Sequence, residues 1–280
     1  MYDPVCKFLA ESFATDFATW LLGTPITLTT LSPSELSLEP IRADTLILLQ
    51  SEDIVLHVEF QTEPKVDIPF RMTDYRLRKY RRFPQKMVHQ YVIYLKPSDS
   101  PLVQETCFIL ERTRHEFNVI RLWEQPTDVF LDTPGLLPFA ILTQTTDKTD
   151  TLQQVAEKIN QINDTRIQSN ISASTSILAG LVLNKELIQR VLRSDIMRDS
   201  VIYQAIEEEA RQKGLKEGLE QGLEQGLEQG LEQGLEQGRR EIAINMLVDG
   251  LPIETISRLT GLTIEQVQVL ESNMRENSST

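Results

Sequence analysis

Along residues 54–61, apolar and polar side chains alternate: Leu56, Val58 and Phe60 are interleaved with His57, Glu59 and Gln61. On a β-strand, alternate side chains share a face. The first three therefore face a core, and the last three share the opposite face. An apolar run from Asp44 to Leu49 precedes them, and a turn at Ser51-Glu52 makes the two runs a hairpin. A two-residue turn there sets Asp44 directly opposite Glu59, with Cβ atoms about 4.5–5.5 Å apart. Two carboxylates that close repel each other. A divalent cation, Mg²⁺ or Mn²⁺, relieves the repulsion and keeps coordinated water for hydrolysis. A three-residue loop would instead turn Asp44 to the other face. A purely structural reading also stands, with Asp44 opening a strand and Glu59 solvated on an edge strand.

The next segment, residues 68–83, reads as a helix with Arg71, Arg76, Arg78, Lys79, Arg81 and Arg82 against a single acid, Asp74. At 100° per residue, Arg71, Tyr75, Arg78 and Arg82 form one stripe. Phe70, Thr73, Leu77 and Tyr80 fall nearly opposite. The pattern predicts that the second stripe is buried and that the first presents guanidinium groups to phosphate oxygens. A solvated helix paired with acids elsewhere is the plainer reading.

Other chemistries find little support. Cys6 and Cys107 have no paired spacing, which excludes a disulfide scaffold and a cysteine zinc site. His57, His89 and His115 lack the spacing of a histidine metal motif. No nucleophile elbow, P-loop or dinucleotide fingerprint is present.

Four separated stretches occur in a telling order: Asp3-Pro-Val-Cys-Lys7-Phe, Arg42-Ala-Asp44, His57-Val-Glu59-Phe-Gln61, and Arg71 to Tyr80. Together they resemble the recombination-promoting nucleases, or putative transposases, of the PD-(D/E)XK nuclease superfamily. The resemblance covers roughly residues 1–145. Cyanobacterial-type members are also similar in the helical region and in glycine-spaced C-terminal repeats. It implies an α/β fold with a restriction-endonuclease-like mixed sheet flanked by helices. It also implies a Mg²⁺- or Mn²⁺-dependent DNA endonuclease linked to recombination or mobile elements. Asp44 and Glu59 would hold the metal, with the Phe60 carbonyl as a third ligand. Asp3 matches the family's N-terminal acid, and Lys7 and Arg42 match supporting positions. Gln61 stands where the superfamily usually has lysine, although glutamine is usual in this subfamily. It could orient a water but supplies no positive charge. Arg71, Tyr75, Arg78 and Arg82 would contact DNA. The rival readings are a non-catalytic nuclease-fold DNA-binding or assembly protein, and an oligomerising adaptor.

The elements that must position these residues follow from periodicity. Residues 3–22 read as one amphipathic helix, 88–95 as a strand, and 106–112 with 117–123 as a second hairpin. Residues 136–142 read as a buried crossing segment. Beyond about residue 149 the strand signal ends. Helices are expected at 150–163, 168–183, 185–193 and 195–213, giving a nuclease-like part (1–145) and a helical extension (146–210).

Residues 211–240 contain seven of the chain's 12 glycines, at steps of four, in a GLEQ repeat. Each interior glycine costs a helix about 0.8–1 kcal/mol against alanine, so the segment is a marginal helix or a spacer. Its glycine columns would let helices approach closely and form a homo-oligomer. Residues 241–280 read as a small helical hairpin with Gly261 at the turn and Thr263 capping. The net charge of −13 argues against a general nucleic-acid coat. No apolar run approaches the roughly 18 residues of a membrane span. The N-terminus has no basic region leading into an apolar run. A cytoplasmic location away from membranes is expected.

Overall fold

The computed structural model describes residues 2–31, 46–192 and 200–277. The chain forms two compact units, residues 1–208 and 209–280.

The first unit opens with α1 (Tyr2–Ser12) and α2 (Ala14–Leu22). The single helix expected over 3–22 is interrupted at Phe13, whose φ of −122° and ψ of 42° leave the helical region. Gly135 sits against this break. A Cβ there would lie 2.3 Å from that of Phe13, so the approach requires glycine. The Gly135 amide donates to Asp16 Oδ2 at 2.9 Å, and Gly23 ends α2 at φ 74°.

The main sheet holds β1 (Thr29–Thr30), β2 (Leu46–Gln50), β3 (Ile54–Gln61) and β4 (Met87–Tyr94), with α3 (Ile68–Arg82) connecting β3 to β4. A hairpin of β5 (Cys107–Leu110) and β6 (Thr113–Glu116) precedes β7 (Asn118–Arg121). The main sheet order is β1-β2-β3-β4-β7. The first three strands are antiparallel, whereas β3, β4 and β7 are parallel. The second hairpin therefore differs from expectation. Segment 106–112 pairs with Thr113–Glu116 across a turn in which Glu111 takes φ 51°, and β7 joins the main sheet beside β4.

One face of the sheet carries Ile47, Leu49, Leu56, Val58 and Phe60 into the principal core, with Val5, Leu9, Phe17 and Phe139. After β7 come α4 (Asp128–Leu131) and a buried 3₁₀ segment, Leu137–Leu142, which matches the expected buried crossing. Then follow α5 (Lys148–Asn160), α6 (Thr165–Ala179) and α7 (Lys185–Val191). Leu152, Val155, Ile171, Leu178 and Ile188 from these helices enter the same core. The compositional change near residue 146 is thus not a change of core. On the opposite sheet face, α3 packs Ile68, Met72 and Tyr75 against Val55, Val92 and Tyr94.

Helix α8 spans Val201–Val248 and includes the glycine repeat. Its start is capped within the first unit by Asn170, whose Oδ1 accepts from Ser200 Oγ and the Val201 amide at 3.0 Å each. In the second unit, α9 (Ile253–Thr260) and α10 (Ile264–Asn277) close a small core of Ala243, Ile256, Leu262 and Val267. Gly261 makes the turn at φ 74°. Thr263 and Gln266 exchange amide and side-chain bonds in a capping box.

Candidate functional site

The site begins with the hairpin register. Ser51 and Ile54 close the β2–β3 turn: the Ser51 amide donates to the Ile54 carbonyl at 2.9 Å, and Ser51 Oγ accepts from the Ile54 amide at 3.3 Å. Lys86 Nζ pins the turn through Ser51 O at 2.7 Å and Gln50 Oε1 at 2.8 Å. The turn centre is therefore Glu52-Asp53 rather than Ser51-Glu52. Glu59 consequently faces Leu46 across the ladder, and not Asp44 as a turn at Ser51-Glu52 required. Asp44 and Arg42 lie outside the described residues.

β3 is central, between β2 and β4, and α3 covers the face that bears its polar side chains. Glu59 is accordingly fully buried, which overturns the solvated edge-strand reading. It does not stand alone. Arg71 Nη2 donates to Glu59 Oε2 at 3.0 Å, and His57 Nε2 lies 3.4 Å from Oε1. His57 and Lys79 are also fully buried, and Gln61 is 4% exposed. Five buried side-chain atoms among the described residues have no hydrogen-bond partner. Four belong to this group: His57 Nε2, Glu59 Oε1, Gln61 Nε2 and Lys79 Nζ.

Gln90 of β4 orders the histidine. Its amide nitrogen donates to Met72 O at 2.8 Å and to His57 Nδ1 at 2.9 Å, while its oxygen accepts from His115 Nε2 at 2.8 Å. Both amide hydrogens are committed, so Nδ1 of neutral His57 accepts and its proton resides on Nε2, toward Glu59. Burial, with help from the Lys79 and Arg71 charges, lowers the His57 pKa to about 4 against the pull of Glu59. His57 is thus neutral near pH 7. Burial raises the Glu59 pKa, but His57, Arg71 and Lys79 together outweigh it and hold the carboxyl below its ordinary value. Burial drives Lys79 well below the ordinary lysine value, with Glu59 opposing and Arg76 assisting.

Helix α3 is rotated from its expected orientation. Its buried residues include Ile68, Met72, Tyr75 and Lys79, whereas Phe70, Leu77 and Tyr80 face solvent and only Thr73 of the expected stripe is buried. Tyr75, expected on the open stripe, packs edge-on to His57 with ring centres 5.4 Å apart. Arg78 binds Asp74 Oδ2 at 2.9 Å, and Arg82 is exposed, 5.9 Å over the Phe83 ring. The Ile68–Met72–Tyr75–Lys79 spacing is itself a helical stripe, and it is the signal that marks Lys79 as inward. Gln90 and His115 carried no such signal, because they meet His57 only through the β3–β4 pairing and the β5–β6 hairpin.

Asp3 and Lys7 sit on α1, whose buried residues pack on the other face of the sheet. The structure thus unites Glu59, Gln61, Arg71 and Tyr75 with His57, which the strand alternation placed on the same face, and with the unanticipated Lys79 and Gln90, while Asp3 and Lys7 belong to the opposite layer. Among the described residues, no three His, Cys, Asp or Glu side chains cluster to hold a metal ion. No described helix is long and apolar enough to cross a membrane. Compared with protein-family models, curated proteins and solved structures, the chain matches none.

Proposed function

We propose that the chain is a metal-dependent DNA endonuclease of restriction-endonuclease-like fold, akin to the recombination-promoting nucleases of the PD-(D/E)XK superfamily. One observation carries this reading: a buried, charge-compensated carboxylate on the central β3, with Arg71 and Lys79 supplied by the helix that crosses to β4. The strand order supports it. An antiparallel pair leads into a parallel β-α-β crossover, and the acid lies near the end of the middle strand.

A Mg²⁺ or Mn²⁺ ion fits these residues in part. The one metal donor of the described region with unmet bonding capacity is Glu59 Oε1; the unpartnered atom of Gln61 is Nε2, an N–H group that does not ligate a cation. Asp44 is the second acid this reading requires. When bound, such an ion lowers the pKa of a coordinated water and offsets charge on the scissile phosphate. The chain's own residues supply the rest. Arg71, whose side chain is 19% exposed, offers a guanidinium for a phosphate oxygen. Lys79 Nζ, buried and without a hydrogen-bond partner, is the other basic group that feels the Glu59 carboxylate. His57, fixed by Gln90, keeps an N–H toward Glu59 Oε1 at 3.4 Å.

The test is plasmid cleavage with Mg²⁺ or Mn²⁺ by the full chain, Glu59→Gln and Asp44→Ala. Cutting by the wild type and at least about a hundredfold loss in both variants is the expected result, since each removes charge at the reacting centre. Equal cutting by all three, or none by any, overturns the proposal.

The Arg71–Glu59 pair also favours a second reading, a nuclease-fold protein that binds DNA without cutting it. There Glu59 anchors Arg71, and the cluster is structural. Calorimetric Mn²⁺ titration separates the two, because selective binding lost in Glu59→Gln belongs to the nuclease alone.

A further inference from the structure

On the side of α3 away from Glu59, Phe70, Leu77 and Tyr80 are 58%, 61% and 61% exposed. The neighbouring hairpin extends this surface. The Phe70 ring meets Phe108 edge-on at 5.8 Å, and Ile109 and Leu110 are also exposed. An exposed apolar patch rimmed by charge marks an interaction surface. The rim identifies the occupant: of the six basic residues of α3, Lys79 is buried, Arg71 and Arg78 are paired with Glu59 and Asp74, and Arg81 and Arg82 are exposed beside Tyr80.

A partner that fits must be strongly anionic and also offer flat apolar faces. Duplex DNA meets the first need but stacks its bases on one another. An acidic protein meets the first need without a run of flat faces. An unpaired DNA strand meets both, because its bases stack on aromatic side chains while its phosphates meet arginines. Phe70 and Tyr80 are ten residues apart, about 15 Å along the helix at 1.5 Å per residue. Phe70 directly precedes Arg71, whose guanidinium is on Glu59. The Phe70 end of this face is thus one helix position from the side chain that reaches the candidate site.

Resting on the DNA-cleavage reading of that site, we propose that the outer face of α3 binds single-stranded DNA by stacking bases on Phe70 and Tyr80. The substrate class is then unpaired or flayed DNA rather than intact duplex.

Fluorescence anisotropy of the full chain in EDTA tests this, with fluorescein-labelled dT20, its duplex with dA20, and rU20. We expect dT20 to bind more tightly than the duplex or rU20. Phe70→Ala/Tyr80→Ala should weaken dT20 binding about tenfold or more, the scale of one or two lost stacking contacts, and duplex binding by less than about twofold. In Tyr80→Trp, dT20 should quench emission beyond the wild-type change. Arg81→Gln/Arg82→Gln should weaken both DNA ligands and flatten the salt dependence.

Duplex binding as tight as dT20 binding, or an unchanged double alanine variant, overturns the proposal. Tighter rU20 binding assigns the face to RNA instead. A concentration-dependent dimer dispersed by the double alanine variant assigns it to a second copy. Because binding is read without metal, absence of cleavage leaves this inference standing. Glu59-dependent cleavage of duplex that ignores the ring substitutions removes this inference and leaves the nuclease.

Discussion

The β3–α3 layer and the glycine repeat of α8 break the usual rule of burial in opposite directions. In the first, a lysine, a glutamate and a histidine are fully buried. In the second, Leu215, Leu219, Leu223, Leu227, Leu231 and Leu235 are 55–74% exposed. Residue type sets the cost of each arrangement, but neighbours decide which arrangement occurs. In the first region Arg71 offsets the charge of Glu59 and Gln90 bonds His57, while Lys79 Nζ stays buried without a hydrogen-bond partner. In the second, the added Cβ of a substituted repeat glycine would meet nothing within 4 Å. The first region therefore resists change, whereas the second tolerates it.

The largest effect should come from breaking the buried charges singly. Glu59→Ala removes the carboxylate that Arg71 binds and should cost about 3–5 kcal/mol in urea unfolding. Glu59→Ala combined with Arg71→Met removes both charges of the pair and should recover most of that loss. A double variant as unstable as the single one would show that the cluster does not act as a unit.

The pH dependence comes next. The His57 pKa is lowered in the folded state, from 6.5 to about 4, so the unfolded chain binds the extra proton first. Stability is then full above about pH 6.5 and falls as pH drops toward 4, by at most about 3 kcal/mol at 1.36 kcal/mol per pKa unit. The lowered Glu59 pKa adds loss at lower pH still, as the carboxylate is protonated. His57→Gln should flatten the curve between pH 6.5 and 4 in denaturant titrations at several pH values. An unaltered slope would place the proton uptake elsewhere.

The smallest effects belong to the repeat. Leu223→Gln should change stability by no more than about 0.5 kcal/mol, as for other exposed positions. Gly226→Ala should strengthen the helix by up to about 0.8–1 kcal/mol, visible as a modest gain in far-ultraviolet dichroism on heating. A large loss on either substitution would mean that these side chains are covered in solution.

Much of the hairpin was legible in the sequence. The alternation along β3 correctly divides Leu56, Val58 and Phe60 from His57, Glu59 and Gln61, because a pleated strand leaves no other choice. The register was not legible. A turn centred on Ser51-Glu52 or on Glu52-Asp53 satisfies the same composition, yet the shift replaces Asp44 by Leu46 opposite Glu59. The Ser51 hydroxyl, together with Lys86 from beyond α3, selects the latter.

The orientation of α3 shows the same division. Its existence, its boundaries within a residue or two and its basic character are local properties. Both of its stripes are apolar enough to be buried. The inward stripe ends in Lys79 and adjoins Arg71, which meets the carboxylate that β3 presents underneath.

The amino-acid order by itself therefore determined periodicity: which residues share a strand face, where helices start, and where glycine repeats. Tertiary structure alone decided which face of α3 is inside and which partners Glu59 acquires. Propensity and alternation act over a few neighbouring residues, whereas the field at Glu59 comes from β3, α3 and β4 together. His57, Arg71 and Gln90 are 33 positions apart from first to last, and only the parallel crossover sets Gln90 on His57 and Arg71 on the neighbouring Glu59.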